Sequence, residues 1–93
     1  MAAKRERQVA REAVGAYHES RLAELIEYVG AAVDAFRAGE LDAFDVDRVL
    51  FQYSRSAKEL WKFCNLADVE FAAKTILDGV SIDWWTRGAI RRR

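Results

Sequence analysis

The first part of the chain carries its hydrophobic residues at helical intervals. Spacings of three, four and seven positions are typical of an amphipathic α-helix, and they predict a helix from about Lys4 to Ala38. Gly39 follows as a C′ residue, the position where many helices end in a left-handed conformation. The predicted core stripe consists of Val14, His18, Leu22, Leu25, Val29, Val33 and Phe36.

A second predicted helix has an unusually wide hydrophobic face. It follows a short connection, with Asp45 as the predicted N-cap, and runs to about Cys64. Its apolar side chains span about 160° of the helical wheel, more than the roughly 100° of a surface helix. We therefore expect this helix to have neighbours on two sides. Its apolar positions are Val46, Val49, Leu50, Tyr53, Ala57, Leu60, Trp61, Phe63 and Cys64.

The last third predicts a shorter helix and one further turn. The helix covers about Ala67 to Leu77, with Gly79 as its C′ residue, and Ser81 is the predicted cap of the turn IDWWT. No segment alternates with the period of a strand. The predicted fold is all-α, with a long antiparallel helical hairpin, a third shorter helix and a C-terminal Trp-Trp turn. We expect one domain over residues 1–88 and a basic flexible tail over 89–93.

The hairpin prediction also gives a register, because short connections join antiparallel neighbours. Paired residue numbers sum to roughly 82, which places His18 beside Cys64 and Leu22 beside Leu60. At about 1.5 Å per residue, the first helix is about 50 Å long and the second about 30 Å. This mismatch indicates that the first helix breaks at Gly15 or packs on another chain, and we expect a dimeric bundle.

Two groups of residues are candidates for an interface. A flank of the first helix combines small side chains with Tyr17, Tyr28 and Ala31, which permits close helix–helix approach and predicts a homodimer. Trp84 and Trp85 are adjacent, so they do not readily face the same way. The pair is interpreted either as a lid on the core or as an interface anchor, because tryptophan is enriched at binding hot spots.

Charge suggests an alternative, nucleic-acid-binding function. The formal net charge is zero, but residues 1–11 and 87–93 hold eight basic residues and one acidic residue. The outer face of the second helix adds a basic ridge that a phosphate backbone would fit, with an aromatic side chain available for stacking. A simple solvated face is the competing interpretation. The candidates are Arg48, Phe51, Arg55, Lys58 and Lys62 in the ridge and Arg91, Arg92 and Arg93 in the tail.

The sequence offers little for catalysis, metals or cofactors. His18 and Cys64 meet in the predicted register, but both lie on predicted core faces, so we interpret them as packing residues. One histidine and one cysteine give no zinc set, and the acidic segment GELDAFDVD lacks the spacing of a calcium loop. No phosphate loop, dinucleotide fingerprint or nucleophile elbow is found. We expect a non-enzyme without a cofactor.

Composition predicts a cytoplasmic protein. The single cysteine cannot form an internal disulfide, which fits a reducing compartment. No apolar run approaches the roughly 18–20 residues of a membrane span. The charged N-terminus lacks the apolar region of a secretion signal.

The segments AKELWKFC, residues 57–64, and DWW, residues 83–85, near a basic tail carry a family resemblance. The chain resembles a group of small bacterial helical proteins for which no activity is established. The resemblance implies a bacterial cytoplasmic protein and carries over no site residue. The predicted function is a non-enzymatic, self-associating helical protein-interaction module, with a regulatory or antitoxin-like partnership with another protein as one form of that function.

Overall fold

The computed structural model describes residues 2–90, and within that range it contains four α-helices and no β-strand. The prediction of an all-α chain is confirmed. Arg91, Arg92 and Arg93 of the predicted basic tail lie outside the described residues. The helices are α1 (Ala2–Arg37), α2 (Ala43–Asn65), α3 (Val69–Leu77) and α4 (Trp84–Arg87).

Both predicted glycine C′ positions are confirmed. Gly39 has φ 79° and Gly79 has φ 73°, a region that residues with a Cβ rarely adopt. After α1, the N–H of Gly39 donates to the carbonyl of Phe36, and the N–H of Glu40 donates to that of Ala35. The same pair of bonds follows α3, so both helices end in a Schellman motif that satisfies their last carbonyls.

The predicted N-cap of α2, Asp45, is wrong, because the helix is capped three positions earlier. Asp42 is the N-cap, and its carboxylate accepts a 2.8 Å hydrogen bond from the backbone N–H of Asp45. The Asp45 carboxylate in turn accepts from the N–H of Asp42 at 3.0 Å, and this bond holds its pKa below the usual value. Two acids three positions apart fit a reciprocal capping box, in which the first residue is the cap.

The predicted cap of the C-terminal turn is also wrong. Asp83 rather than Ser81 caps α4, and its carboxylate accepts hydrogen bonds from the hydroxyl and the backbone N–H of Thr86. These two bonds lower the pKa of Asp83. A carboxylate competes better than a hydroxyl for helix N–H groups when both precede the same turn, because its charge strengthens the bond.

The long helix α1 contacts all three other helices. It runs through Gly15 and Gly30 without interruption. Its N-terminal half is covered by α3, where Ala10 and Val14 share the core with Ala72 and Ala73. The remaining buried members of this core cluster are Leu25, Leu60, Cys64 and Trp84.

The molecule is long and thin, measuring 58 × 31 × 19 Å. Since one helix with its side chains is about 10–12 Å across, the thinnest dimension holds about two layers of helix. The layer formed by α1 and α2 is therefore covered over only part of its surface. No helix within residues 2–90 is sufficiently long and apolar to cross a membrane.

Truncating Leu60 should strongly destabilise the fold. Leu60 is 0% exposed, and Leu60→Ala should lower the free energy of unfolding by about 2–5 kcal/mol through lost burial and a residual cavity. Leu66→Ala is the matched control, because Leu66 is 69% exposed, and it should change stability by less than about 0.5 kcal/mol. Urea denaturation followed by circular dichroism measures both, and equal effects would place Leu60 outside the core.

Candidate interaction surfaces

Trp84 closes the core between α1 and α2. It is 5% exposed, and its indole Nε1 donates a 2.8 Å hydrogen bond to the hydroxyl oxygen of Tyr17. Its ring centroid lies 5.4 Å from that of Phe63, and Tyr17 meets Phe63 edge-on at 6.0 Å. A buried tryptophan needs a partner for its N–H, and Tyr17 supplies it. Within this chain, Trp84 is therefore a lid on the core, which is one of the two interpretations given for the tryptophan pair.

Trp85 contacts the same two helices. Its ring stacks on Tyr28 of α1 with centroids 4.2 Å apart and planes 3° from parallel. Its carbonyl accepts two 3.0 Å hydrogen bonds from α2, one from Gln52 Nε2 and one from Ser56 Oγ. The four residues of α4 are thus held by side chains from both long helices, which a helix this short requires.

Gly88 lets the end of α4 lie directly on the backbone of α2. A Cβ at this position would stand 2.0 Å from Ser56 Oγ and 2.6 Å from the carbonyl oxygen of Gln52. The Gly88 carbonyl also accepts a hydrogen bond from Arg55 Nε. The sequence pattern did not predict the roles of Gln52, Ser56 and Gly88. The available signal was Ser56, a serine on the buried side of the second helix, together with Gly88, a glycine at the end of the C-terminal turn.

The predicted interface flank of α1 lies against this C-terminal turn. Tyr17 and Tyr28 contact Trp84 and Trp85, and Ala31 is exposed at the edge of an open groove of about 670 Å³ between α1 and residues 81–85. The burial of these residues by a second chain stays a prediction. Their contacts within one chain already explain why tyrosines stand on this flank.

The predicted basic ridge is largely engaged within the chain. Arg48 pairs with Asp45, Arg55 donates to Gly88, and the Lys62 Nζ lies 3.4 Å from a Glu59 carboxylate oxygen. Phe51 and Lys58 are exposed on the same outer side of α2. Intramolecular pairing reduces the positive charge that a phosphate backbone would meet. The contribution of Arg91–Arg93 lies outside the described residues.

Cys64 has the environment of a packing residue. It is buried in the core cluster, and burial raises the pKa of its thiol to about 11. Since the thiolate is the reactive form, little of it is present near neutral pH. His18 is half-buried on α1. Within residues 2–90, no group of three or more histidine, cysteine or carboxylate side chains is arranged to hold a metal ion.

A second surface, on the opposite side of α1 and α2 from α4, carries exposed apolar side chains. Ile26 lies two positions before Tyr28, Leu50 two before Gln52, and Trp61 two before Phe63. Two positions correspond to 200° of rotation, so each points nearly opposite to a residue that contacts α4. We call this surface the open face, and it comprises Ile26, Val33, Phe36, Val46, Leu50, Tyr53, Ala57 and Trp61.

The residues of the open face are only partly covered. Ile26, Leu50 and Trp61 remain 52%, 44% and 50% exposed, whereas Val33, Val46 and Tyr53 are half-buried. Phe36 and Trp61 belong to the hydrophobic stripes of the sequence, yet both are exposed, because α4 covers only the other flank. At the loop end, a small groove of about 170 Å³ is lined by Phe36, Ala43, Val46, Asp47 and Leu50.

Comparisons of the chain with protein-family models, curated proteins and solved structures found no match. The resemblance to small bacterial helical proteins therefore stays a prediction. Functional proposals for this chain depend on the contacts, burial and charge of its own described residues.

Replacing Gly88 should dislodge α4. In Gly88→Ala the new methyl group overlaps Ser56 and Gln52, so the turn must move and stability should fall by about 1–3 kcal/mol. Gly15→Ala is the control with the same chemical change, because no atom lies within 4 Å of its added Cβ. It should stabilise α1 by about 0.5–1 kcal/mol. Thermal unfolding measures both variants, and a neutral Gly88→Ala would contradict the close approach.

Removing the Tyr17 hydroxyl should leave the Trp84 indole N–H without an acceptor. Tyr17→Phe should therefore lower the free energy of unfolding by about 1–3 kcal/mol and alter the near-ultraviolet circular dichroism of Trp84. Tyr28→Phe is the matched control, since it keeps the ring that stacks on Trp85. Equal stability of the two variants would show that the Tyr17 hydroxyl does not support α4.

Proposed function

We propose that this chain is a non-enzymatic helical interaction module that acts through self-association. One observation carries the proposal. Among the described residues, thirteen large hydrophobic side chains are exposed, whereas only Val14, Leu25, Leu60 and Trp84 are both large and buried. Isolated exposed hydrophobic residues are common on monomers, but an excess over the core is typical of a surface that another chain covers.

The arrangement of the long helices supports the same proposal. In it, α1 and α2 form an antiparallel hairpin that is the frame of the module and one half of a dimeric bundle. The five-residue connection 38–42 and the contact between Tyr17 and Phe63 support this hairpin. The buried, protonated Cys64 supports the non-enzymatic part of the proposal, because it removes the one nucleophile that the sequence places near a histidine.

Geometry favours this function over nucleic-acid binding. A phosphate-binding ridge needs cations that face solvent without partners, and Arg48, Arg55 and Lys62 each contact an acceptor within the chain. An apolar face needs only a complementary apolar surface, and a second copy of the chain supplies one without any further component.

The mass in solution tests the proposal. Light scattering on the eluting peak of a sizing column, over a range of micromolar concentrations, should give twice the chain mass of 10.6 kDa. Dilution should shift the mass towards that of one chain, because association follows mass action. A mass of 10.6 kDa at every concentration would overturn self-association. Retention of the wild-type chain on DNA or RNA at low salt, lost as salt rises, would instead favour the nucleic-acid alternative.

A further inference from the structure

The open face is the candidate surface for the second copy that the proposed function requires, so this inference rests on the proposed function. Large side chains offer about 150–250 Å² each, so half-exposed Ile26, Phe36, Leu50 and Trp61 leave on the order of 400 Å² open. A standard interface buries about 800 Å² on each partner. The half-buried members of the open face and its polar rim supply an area of the required order.

The open face also offers a socket and a matching side chain. The groove between Phe36, Val46 and Leu50 has a volume of about 170 Å³. An apolar cavity of about 150 Å³ is large enough for a benzene molecule, so this groove fits an aromatic ring. Trp61 is a half-exposed aromatic residue of the same face, and it lies 15 positions, or about 22 Å, from Val46 along α2. This distance is too great for Trp61 to fill the groove of its own chain.

A two-fold axis would bring the socket and the side chain together between two copies. If two α2 helices pack antiparallel, Trp61 of one chain lies opposite Val46 of the partner subunit when the axis passes beside Tyr53 and Ser54. The same register places Ala57 opposite Leu50 of the partner subunit, a small residue against a large one. Each contact then occurs twice, as in any isologous interface.

Charges at the rim of the open face independently give an axis within one residue of this position. Asp47 and Lys58 are exposed on α2, and within residues 2–90 neither forms an ion pair. Their midpoint falls at residues 52–53, one position before the axis beside Tyr53 and Ser54, so in that register each charge is displaced by about 3 Å along the helix from its counterpart. An antiparallel pair of α2 helices therefore brings Asp47 near Lys58 of the partner subunit, and Lys58 near the partner's Asp47. A parallel pair would instead place like charges together, which opposes association.

We infer that the chain forms a two-fold dimer through the open face, with antiparallel α2 helices, Trp61 in the partner's groove and reciprocal Asp47–Lys58 ion pairs. This surface differs from the Tyr17, Tyr28 and Ala31 flank predicted from the sequence. The flank contacts α4 of its own chain, whereas Ile26, Leu50 and Trp61 of the open face remain about half exposed.

A charge exchange tests both the surface and the direction of the helices. Asp47→Lys and Lys58→Asp should each weaken the dimer roughly three- to tenfold, because each places like charges together twice. The double variant Asp47→Lys/Lys58→Asp should return the dissociation constant to within about twofold of the wild type. Sedimentation measures dissociation, and circular dichroism confirms that each variant remains helical. Additive weakening in the double variant would overturn the antiparallel arrangement.

Trp61 tests the socket. Trp61→Ala should raise the dissociation constant by about thirtyfold or more, as the loss of a buried aromatic anchor does. Phe71→Ala is the matched control, because Phe71 is an exposed aromatic residue on α3, outside the open face, and it should leave the dimer intact. Equal effects of the two changes would overturn the placement of Trp61 in the groove.

Ala31→Glu separates failure of this surface from failure of the proposed function. On the open-face dimer, Ala31→Glu leaves the mass unchanged and Leu50→Glu gives single chains. If the wild type dimerises but Ala31→Glu separates it and Leu50→Glu does not, the sequence-predicted flank is the interface and the proposed function stands. If the wild type is a single chain throughout, the proposed function and this inference both fail.

Discussion

The docking of the short helix α4 across α1 and α2 is the contact on which the rest of the structure depends. Four residues cannot hold a helix by their own hydrogen bonds, because the first turn of a helix costs more entropy than it returns. Asp83 caps α4, Trp84 lies in the core beneath Tyr17, and Trp85 joins Tyr28 to Gln52 and Ser56. This short segment therefore takes the place that a full helix holds in a larger bundle.

The use of so short a helix on one side of α1 and α2 has a consequence for the opposite side of these two helices. A chain of 93 residues buries a smaller share of its surface than a larger domain, and here one helix takes 36 of those residues. The remaining helices cover α1 along its N-terminal half and on one flank. The exposure of Ile26, Leu50 and Trp61 follows directly, since each lies opposite a residue that α4 contacts. The thinness of the molecule and its exposed apolar residues have the same cause.

Much of the fold was predictable because local signals agreed with one another. Spacing gave three helices and the inward position of Leu60, and glycine gave the C′ residues Gly39 and Gly79. The N-caps were mispredicted because two candidate caps stand at each helix start, Asp42 and Asp45 at α2 and Ser81 and Asp83 at α4. Asp42 and Asp45 compete for one role until the reciprocal bonds are seen.

The candidate surfaces could be predicted only in part. A helix flank rich in tyrosine and alanine signals close contact, but the pattern is the same whether the contact comes from another chain or from a four-residue turn more than fifty positions away. The contact of Gly88 with Ser56 depends on that same distant docking, so no local pattern specifies it. Leu60 and Trp61 both fall within the wide apolar face predicted for α2, yet the packing of the helices buries Leu60 and leaves Trp61 half exposed.

The same helix α2 links the closed side of the molecule to its open face. Gln52, Arg55 and Ser56 bind backbone carbonyls of the C-terminal turn, and these bonds fix the rotation of α2 about its own axis. In this orientation Leu60 lies in the core, and Leu50 and Trp61 remain about half exposed. Polar contacts on one side of a helix thus hold apolar residues exposed on the other. Hydrogen bonds are directional and hydrophobic burial is not. The hydrogen bonds on the polar side of α2 therefore set which apolar side chains of this helix lie on its opposite side.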